Sequence, residues 1–141
     1  MSATGLDVFD KTLQITNIWL DDIMTEMGWS DRHKAYTALR TVLHAVRDRL
    51  PVDNVAHLAA QLPMLVRGFY YEGWHPGDKP VKERSTDEFL MHIGDAFLRD
   101  VTADSRKIAR CVFKTLSRHL TSGEVEKVRQ CLGTSVRDLW A

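Results

Sequence analysis

The stretch "RTVLHAVRDRLPVDNVAHLAAQLPMLVRGFY", residues 40–70, aligns without a gap with "RCVFKTLSRHLTSGEVEKVRQCLGTSVRDLW", residues 110–140. Positions with identical residues in the two stretches are Arg40, Val42, Leu50, Val55, Leu62, Val66 and Arg67, matched by Arg110, Val112, Leu120, Val125, Leu132, Val136 and Arg137. Most other apolar positions agree in kind and recur at helical spacing. The same register extends upstream to Trp19 and Phe89. The sequence therefore predicts two pseudo-repeats at an offset of 70 residues.

Both halves show the periodicity of helices, and neither shows the two-residue alternation of strands. A long first helix is predicted by an apolar stripe with alternating spacings of three and four residues, formed by Leu6, Phe9, Leu13, Thr16, Leu20, Ile23 and Met27. Pro51 ends the second helix and Pro63 begins the fourth, because proline is tolerated in a first helical turn and disfavours helix in the residue before it. Gly133 stands where Pro63 stands in the first half, and "STDE" (85–88) and "TSGE" (121–124) resemble N-terminal capping boxes.

These patterns predict an all-α fold of about eight helices, built from two four-helix pseudo-repeats that share one core. We expect a single domain over residues 1–141, with the first repeat and its N-terminal extension at 6–71 and the second repeat at 85–141. The intervening residues 72–84, "EGWHPGDKPVKER", contain two glycines and two prolines, so they are predicted to be a linker.

The amino-acid composition and the charge balance argue against several classes of function. The chain has 141 residues, 44% of them hydrophobic, with 19 Lys plus Arg balanced by 19 Asp plus Glu. Nucleic-acid-binding proteins usually carry a basic excess, so we do not expect nucleic acid as a partner. Neither a signal peptide nor an apolar run of membrane-spanning length is recognisable, so we expect a cytoplasmic protein and no membrane partner. Cys111 and Cys131 are not at metal-binding spacing and are predicted to be buried thiols.

The two halves differ at the third and fourth helices. Small or apolar residues occupy the first copy, where the second copy has polar ones: Ala56, Ala59, Ala60, Met64 and Leu65 correspond to Glu126, Arg129, Gln130, Thr134 and Ser135. A helix that is apolar on most sides is usually buried. We therefore expect residues 53–70 to lie centrally, against the other half or a second subunit. Tyr71, Trp74 and His75 follow the end of the repeat and have no counterpart.

No catalytic, cofactor or metal motif is recognisable. Glu88, His92 and Asp95 share one helix face at a spacing that three metal ligands could use, but a solvated polar face is the expected interpretation. We assign no catalytic residues, no cofactor and no metal site, and lean towards a protein that is not an enzyme.

The chain resembles a bacterial family known as domain of unknown function 2267. The resemblance lies in "QLPMLVRGFYYEGWHP", in the preceding "LRTVLHAVRDRLPVDNVAHLAAQ" and in the ending "RHLTSGEVEKVRQCLGTSVRDLW", and it covers about residues 18–140. It implies an all-helical, mostly cytosolic bacterial protein made of two related halves. It implies no activity and contributes no catalytic residues. The N-terminal extension, about residues 1–17, lies outside the best-matching part.

Our main functional hypothesis is a non-enzymatic protein-interaction module that self-associates as a homodimer or binds another protein. The candidate binding surface consists of residues that the second half does not share: Met64, Leu65, Tyr71, Trp74 and His75. Its mechanism would be anchoring by apolar and aromatic side chains. An alternative is a small-molecule-binding protein or enzyme with an apolar pocket between the repeats, lined by the aromatic cluster with His44, His57 or His75. A third hypothesis, DNA binding through the helix at 31–50, would require a contiguous basic face on that helix.

Overall fold

The computed structural model describes residues 2–82 and 85–140, which form eight α-helices and no strand. In chain order the helices are α1 (Asp7–Met27), α2 (Arg32–Arg47), α3 (Val52–Gln61), α4 (Met64–Tyr71), α5 (Thr86–Asp95), α6 (Ser105–His119), α7 (Ser122–Cys131) and α8 (Thr134–Leu139). A single 3-10 turn covers Pro76–Asp78. The predicted all-α class and the number of helices are confirmed.

Helices α2 and α6 form the centre of the molecule. They pack against each other, and both contact α1 and α5. One core cluster runs through both halves, because Val42, Leu43 and Val46 of α2 and Val112 and Leu116 of α6 belong to it and are almost fully buried. Buried residues of the two halves therefore belong to one core cluster.

The helix boundaries of the two halves occur at corresponding positions. Helices α3 and α7 each have ten residues, and their first residues are 70 positions apart. The first residues of α4 and α8 are also 70 positions apart. The break before α4 and α8 has nearly the same backbone, with φ −56° and ψ 150° at Pro63 and φ −61° and ψ 154° at Gly133. The predicted helix break is thus present in both halves, while the relation of the halves as copies stays a prediction.

The two predicted N-caps of the second half are present. The side chain of Ser85 accepts a hydrogen bond from the backbone N–H of Glu88 at the start of α5. Thr121 does the same for Glu124 at the start of α7. Each satisfies one of the N–H groups that a helix leaves without an internal partner, so local sequence is sufficient to define these two helix starts.

The linker is attached to the first half by its backbone. The N–H of Val81 donates to the carbonyl oxygen of Asp48, just after α2, at 2.8 Å. Residues 83 and 84 of the predicted linker, and residues 1 and 141 at the ends of the predicted domain, lie outside the described residues.

The expectation that residues 53–70 lie centrally within the chain is wrong for part of this segment. Val55, Leu58 and Ala59 are the buried residues of α3, whereas Ala56 and Ala60 are exposed. The main neighbours of this short helix are α4 and α7. Alanine is the best helix former, so alanines on the outer face of a helix stabilise it without being buried.

Two side chains of α2 bind the C-terminal end of α4. The Nε2 atom of buried His44 donates to the carbonyl oxygen of Phe69 at 2.6 Å. The guanidinium of buried Arg47 donates to the carbonyl oxygens of Tyr70 and Glu72 at 2.7 and 2.8 Å. These carbonyls lie at a helix end, where internal partners are missing. The two residues therefore hold α4 in a defined position on α2.

Burial of His44 makes stability depend on pH. The pKa of His44 lies below its ordinary value, chiefly because burial disfavours the charged imidazolium, although the Phe69 carbonyl opposes this effect. The unfolded chain, with a histidine pKa of about 6.5, then binds the proton more readily than the folded chain. We expect full stability above that pH and a loss of at most about 1.4 kcal/mol per pH unit below it from this residue.

Urea unfolding of the wild type and of His44→Gln, measured from above to below the ordinary histidine pKa, tests this expectation. Glutamine can still donate to the Phe69 carbonyl but does not titrate. Its unfolding free energy should therefore fall less steeply as the pH drops. Parallel pH profiles for the two proteins would contradict the assignment.

Candidate functional site

An open groove lies among the first half of α1, the start of α2 and α4, with a volume of about 900 Å³. Its walls are mostly apolar. The side chains that define it are Phe9 and Leu13 from α1, Tyr36 from α2, and Met64, Leu65 and Phe69 from α4. All of its lining residues lie between Thr4 and Glu72, so the groove belongs to the first half of the chain and not to the junction between the halves.

The α1 wall is an apolar stripe that extends from the core onto the surface. Its C-terminal part is buried, with Thr16, Leu20 and Ile23 against the body of the protein. Leu6 and Phe9 on the same stripe are 51% and 45% exposed. A helix of 21 residues is about 30 Å long. The buried residues of α1 begin at Thr16, and the first half of the stripe stays partly exposed.

The α4 wall is fixed to α1 by a hydrogen bond. The backbone N–H of Leu65 donates to Oγ1 of Thr12 at 2.9 Å. This N–H lies in the first turn of α4, where no carbonyl of the same helix can accept it. Met64 and Leu65 remain 46% and 41% exposed beside it. The bond connects the two apolar walls of the groove.

The floor and the rim of the groove differ in character. Tyr36 and Phe69 form the floor, with ring centroids 5.2 Å apart in an edge-to-face arrangement. Arg32 lies on the rim at the start of α2, where it pairs with Asp21 at 2.7 Å and donates to the side chain of Asn17 at 3.3 Å. Glu72 lies on the opposite rim, 3.8 Å from Arg40.

The start of α1 is acidic. Asp7 and Asp10 both lie in its first turn. The hydroxyls of Ser2 and Thr4 donate to the carboxylate of Asp10, which lowers its pKa below the ordinary aspartate value. Asp10 is therefore a carboxylate at neutral pH, and this end of α1 is negatively charged.

The structure places the five predicted surface residues in different surroundings. Met64 and Leu65 line the groove. Tyr71 and Trp74 are half-buried against the core, with their rings 5.8 Å apart, and His75 is exposed beyond them. None of these last three is a lining residue of the groove. The groove therefore takes only the α4 pair from the predicted set.

Sequence reasoning used the α1 stripe only to predict a helix and did not identify Leu6, Phe9 and Leu13 as surface residues. One signal could have revealed them. Helix α5 begins at Thr86, which corresponds to Thr16 at an offset of 70, so the second half has no equivalent of the first nine residues of α1. The second half has no helix at the positions that correspond to the start of this stripe. The repeat pattern therefore predicts no helix that could cover the first part of the stripe.

The histidines of the alternative hypothesis have other roles. His44 binds the α4 end described above, and Nδ1 of His57 lies 3.0 Å from a carboxylate oxygen of Glu124. Glu124 is buried, and this contact joins α3 to α7 across the two halves. None of His44, His57 and His75 lines the groove or either of two other surface cavities formed by the described residues.

The basic residues between 31 and 50 do not form a contiguous exposed face. Arg47 and Arg49 are buried, and both donate to backbone carbonyls. Arg32 and Lys34 pair with Asp21 and Asp100 at the start of α2. The surface that DNA binding through this helix would need is therefore not formed by residues 31–50.

The Cys111 thiol and the possible metal ligands Glu88, His92 and Asp95 show no arrangement for chemistry. Burial raises the pKa of the Cys111 thiol to about 11, which keeps it protonated and unreactive near neutral pH. Among residues 2–82 and 85–140, no group of three His, Cys, Asp or Glu side chains is arranged to hold a metal ion, so Glu88, His92 and Asp95 do not converge.

The family model described as "Uncharacterized conserved protein (DUF2267)" matches residues 16–139. The chain belongs to this family. The matched segment of this DUF2267 protein begins where the second, packed half of α1 begins, and it contains α2 to α8. Phe9 and Leu13, which belong to the α1 wall of the groove, precede the matched segment, and so does the exposed Leu6.

A comparison with curated proteins found no match. Among the described residues, no helix of this DUF2267 protein combines the length and apolar character needed to cross a bilayer.

Proposed function

We propose that this DUF2267 protein is a non-enzymatic interaction module of the cytoplasm, and that its groove binds an α-helix of a protein partner. The observation that carries the proposal is the apolar stripe of α1. Its first half is exposed opposite Met64 and Leu65, and the two walls face a common space. Exposed apolar surface that is contiguous and concave is characteristic of docking sites.

A helix is the occupant that the spacing favours. Leu6, Phe9 and Leu13 follow each other at three and four residues, which is the spacing at which two helices interlock side chains. An extended peptide would instead be recognised through the free edge of a sheet, and the described residues contain no strand. The aromatic floor of Tyr36 and Phe69 would serve as the anchor point, since large rigid rings contribute most to such interfaces.

The character of the lining supports binding rather than catalysis. Its charged side chains lie on the rim, and Arg32 and Glu72 already pair with Asp21 and Arg40. Most of the inner wall consists of leucine, methionine and phenylalanine side chains. His33 and Tyr36 also line the groove, with their ring centroids 6.0 Å apart. Binding to such a surface is favourable because apolar side chains are removed from water, but the surface has few groups that could take part in a reaction.

Site-specific photocrosslinking in the cells that produce the protein tests the proposal. Leu65 is replaced by the photoreactive residue p-benzoyl-phenylalanine, and the adducts are identified by mass spectrometry. We expect a protein adduct of defined mass whose crosslinked peptide is a predicted helix with an apolar face. The matched control carries the same residue at Met91, a helical position that is 60% exposed and lies outside the groove.

Absence of an adduct from position 65, or the same adducts from positions 65 and 91, would contradict a docking function for the groove. A second variant guards against loss of the fold. Phe9→Ala changes only the opposite wall, and it should reduce the yield of the Leu65 adduct without altering the far-ultraviolet circular dichroism.

A further inference from the structure

We infer that the helix bound in the groove is α1 of a second copy of this chain, so that two chains form a symmetric dimer with their α1 helices antiparallel. This inference rests on the proposed docking function of the groove and names its partner. Three properties of the described residues carry it: the self-complementarity of the groove, the charge at each end of α1, and the size of the apolar surface.

Helix α1 has the exposed apolar face that a helix bound in the groove would need. Phe9 and Leu13 are both a wall of the groove and part of an exposed apolar ridge that begins with Leu6. When α1 of one protomer lies along α1 of its partner, each protomer covers the other's exposed stripe and also contacts the other's Met64 and Leu65. An interface that uses the same patch on both protomers closes with two-fold symmetry and leaves no open end.

Charge selects the antiparallel direction. Asp7 begins α1, whereas Arg32 reaches α1 near Asn17, about 15 Å further along the helix axis. In an antiparallel pair the first turn of one α1, where Asp7 also pairs with Lys11, lies beside the Arg32–Asp21 pair of the other protomer. Arg32 would then be shared between Asp21 and the partner's acidic first turn. A parallel pair would place the two acidic first turns together, which costs free energy because like charges repel.

The size of the groove predicts a weak dimer. Fifteen residues line it on each protomer. A standard stable interface uses about 20–30 residues from each partner. We therefore expect a dissociation constant in the micromolar range, about 1–100 µM, rather than a permanent dimer.

The chain offers a matched control on the same helix. Ile15 is 42% exposed and Leu13 is 38% exposed, so the two positions are similar in size and exposure. Residues two positions apart on an α-helix point about 160° away from each other. Only Leu13 lines the groove.

Sedimentation equilibrium of the full chain tests the dimer over about 1–300 µM, which brackets the expected dissociation constant. We expect the wild type and Ile15→Glu to form dimers with similar affinity. Leu13→Glu should raise the dissociation constant by about tenfold or more, because it places a charge in the desolvated centre of the interface. Circular dichroism and thermal unfolding of the three proteins establish that each remains folded.

A charge exchange tests the antiparallel direction. Arg32→Glu and Asp7→Lys should each weaken the dimer, and the double variant should recover most of the wild-type affinity. Failure of this recovery would overturn the antiparallel direction.

The outcomes separate the two proposals. If the wild type stays monomeric at the highest concentration while the Leu65 crosslinker still forms a defined adduct with another protein, the second copy is the wrong partner and the docking function stands. A monomer with no Leu65-specific adduct overturns both. If Ile15→Glu dissociates the dimer and Leu13→Glu does not, the chain dimerises through the other face of α1, and the inference is wrong.

Discussion

Replacing Phe113 with alanine is expected to lower the free energy of unfolding by about 3–5 kcal/mol. Phe113 lies in α6 and is almost completely buried. Its ring stacks on Trp140 with centroids 4.5 Å apart and lies 5.9 Å from Phe89 on the other side. Alanine would leave a cavity between α5, α6 and the C-terminal end of α8, and the surrounding rings could fill it only in part.

Chemical denaturation followed by far-ultraviolet circular dichroism measures this loss. Single domains are stable by about 5–15 kcal/mol, so Phe113→Ala should be folded but much closer to unfolding. Phe9→Ala is the matched control, because Phe9 is 45% exposed and its truncation should cost less than about 1 kcal/mol. Equal losses for the two variants would show that Phe113 does not have the core position described here.

Replacing Arg47 with alanine is expected to lower the free energy of unfolding by about 3–5 kcal/mol as well, for an electrostatic reason. Its guanidinium pairs with Asp48 at 2.8 Å in addition to binding the carbonyls of Tyr70 and Glu72. Alanine would leave these acceptors without their donor in a largely buried environment. A buried acceptor that loses its partner costs far more than a surface ion pair contributes.

Denaturation and hydrogen exchange together test the role of Arg47. Amide protection should fall most in α4, because Arg47 holds the end of that helix. Arg40→Ala is the control on the same helix. Arg40 is half-exposed and lies 3.8 Å from Glu72, so its removal should cost less than about 1 kcal/mol. A uniform loss of protection across all helices would contradict a local role for Arg47 at α4.

Local rules were enough to predict the helices and several of their ends. The break before Met64 and before Thr134 follows from Pro63 and Gly133, and the starts of α5 and α7 follow from the hydroxyls of Ser85 and Thr121. Each of these features depends on residues within one or two turns. The apolar stripes likewise identify which face of each helix is apolar, because helical periodicity is a local property.

The candidate site could not be predicted to the same extent, because exposure depends on contacts between distant parts of the chain. Leu13 and Leu20 belong to one stripe, yet Leu20 is buried and Leu13 is 38% exposed. No local property of the stripe distinguishes them. The difference arises because the neighbours of α1 pack mainly against its second half.

The predicted binding surface also shows that exposure cannot be read from the sequence alone. Met64, Leu65, Tyr71 and Trp74 were grouped because the second half does not share them. Helix α4 ends at Tyr71, so the helical spacing that relates Met64 and Leu65 to one face does not extend to Trp74. Trp74 therefore follows the turn after α4 and packs against the core, while Met64 and Leu65 face the groove.

The sequence by itself determined the all-α class, the number of helices and the positions of the breaks shared by the two halves. These depend on backbone preferences and on periodicity, which act over a few residues. Only the tertiary structure decided which half of the α1 stripe is covered, that α3 has an exposed outer face, and that Met64 and Leu65 meet α1 in a groove. Burial is a property of the whole packed chain, since a side chain is covered only where another element has surface available to cover it.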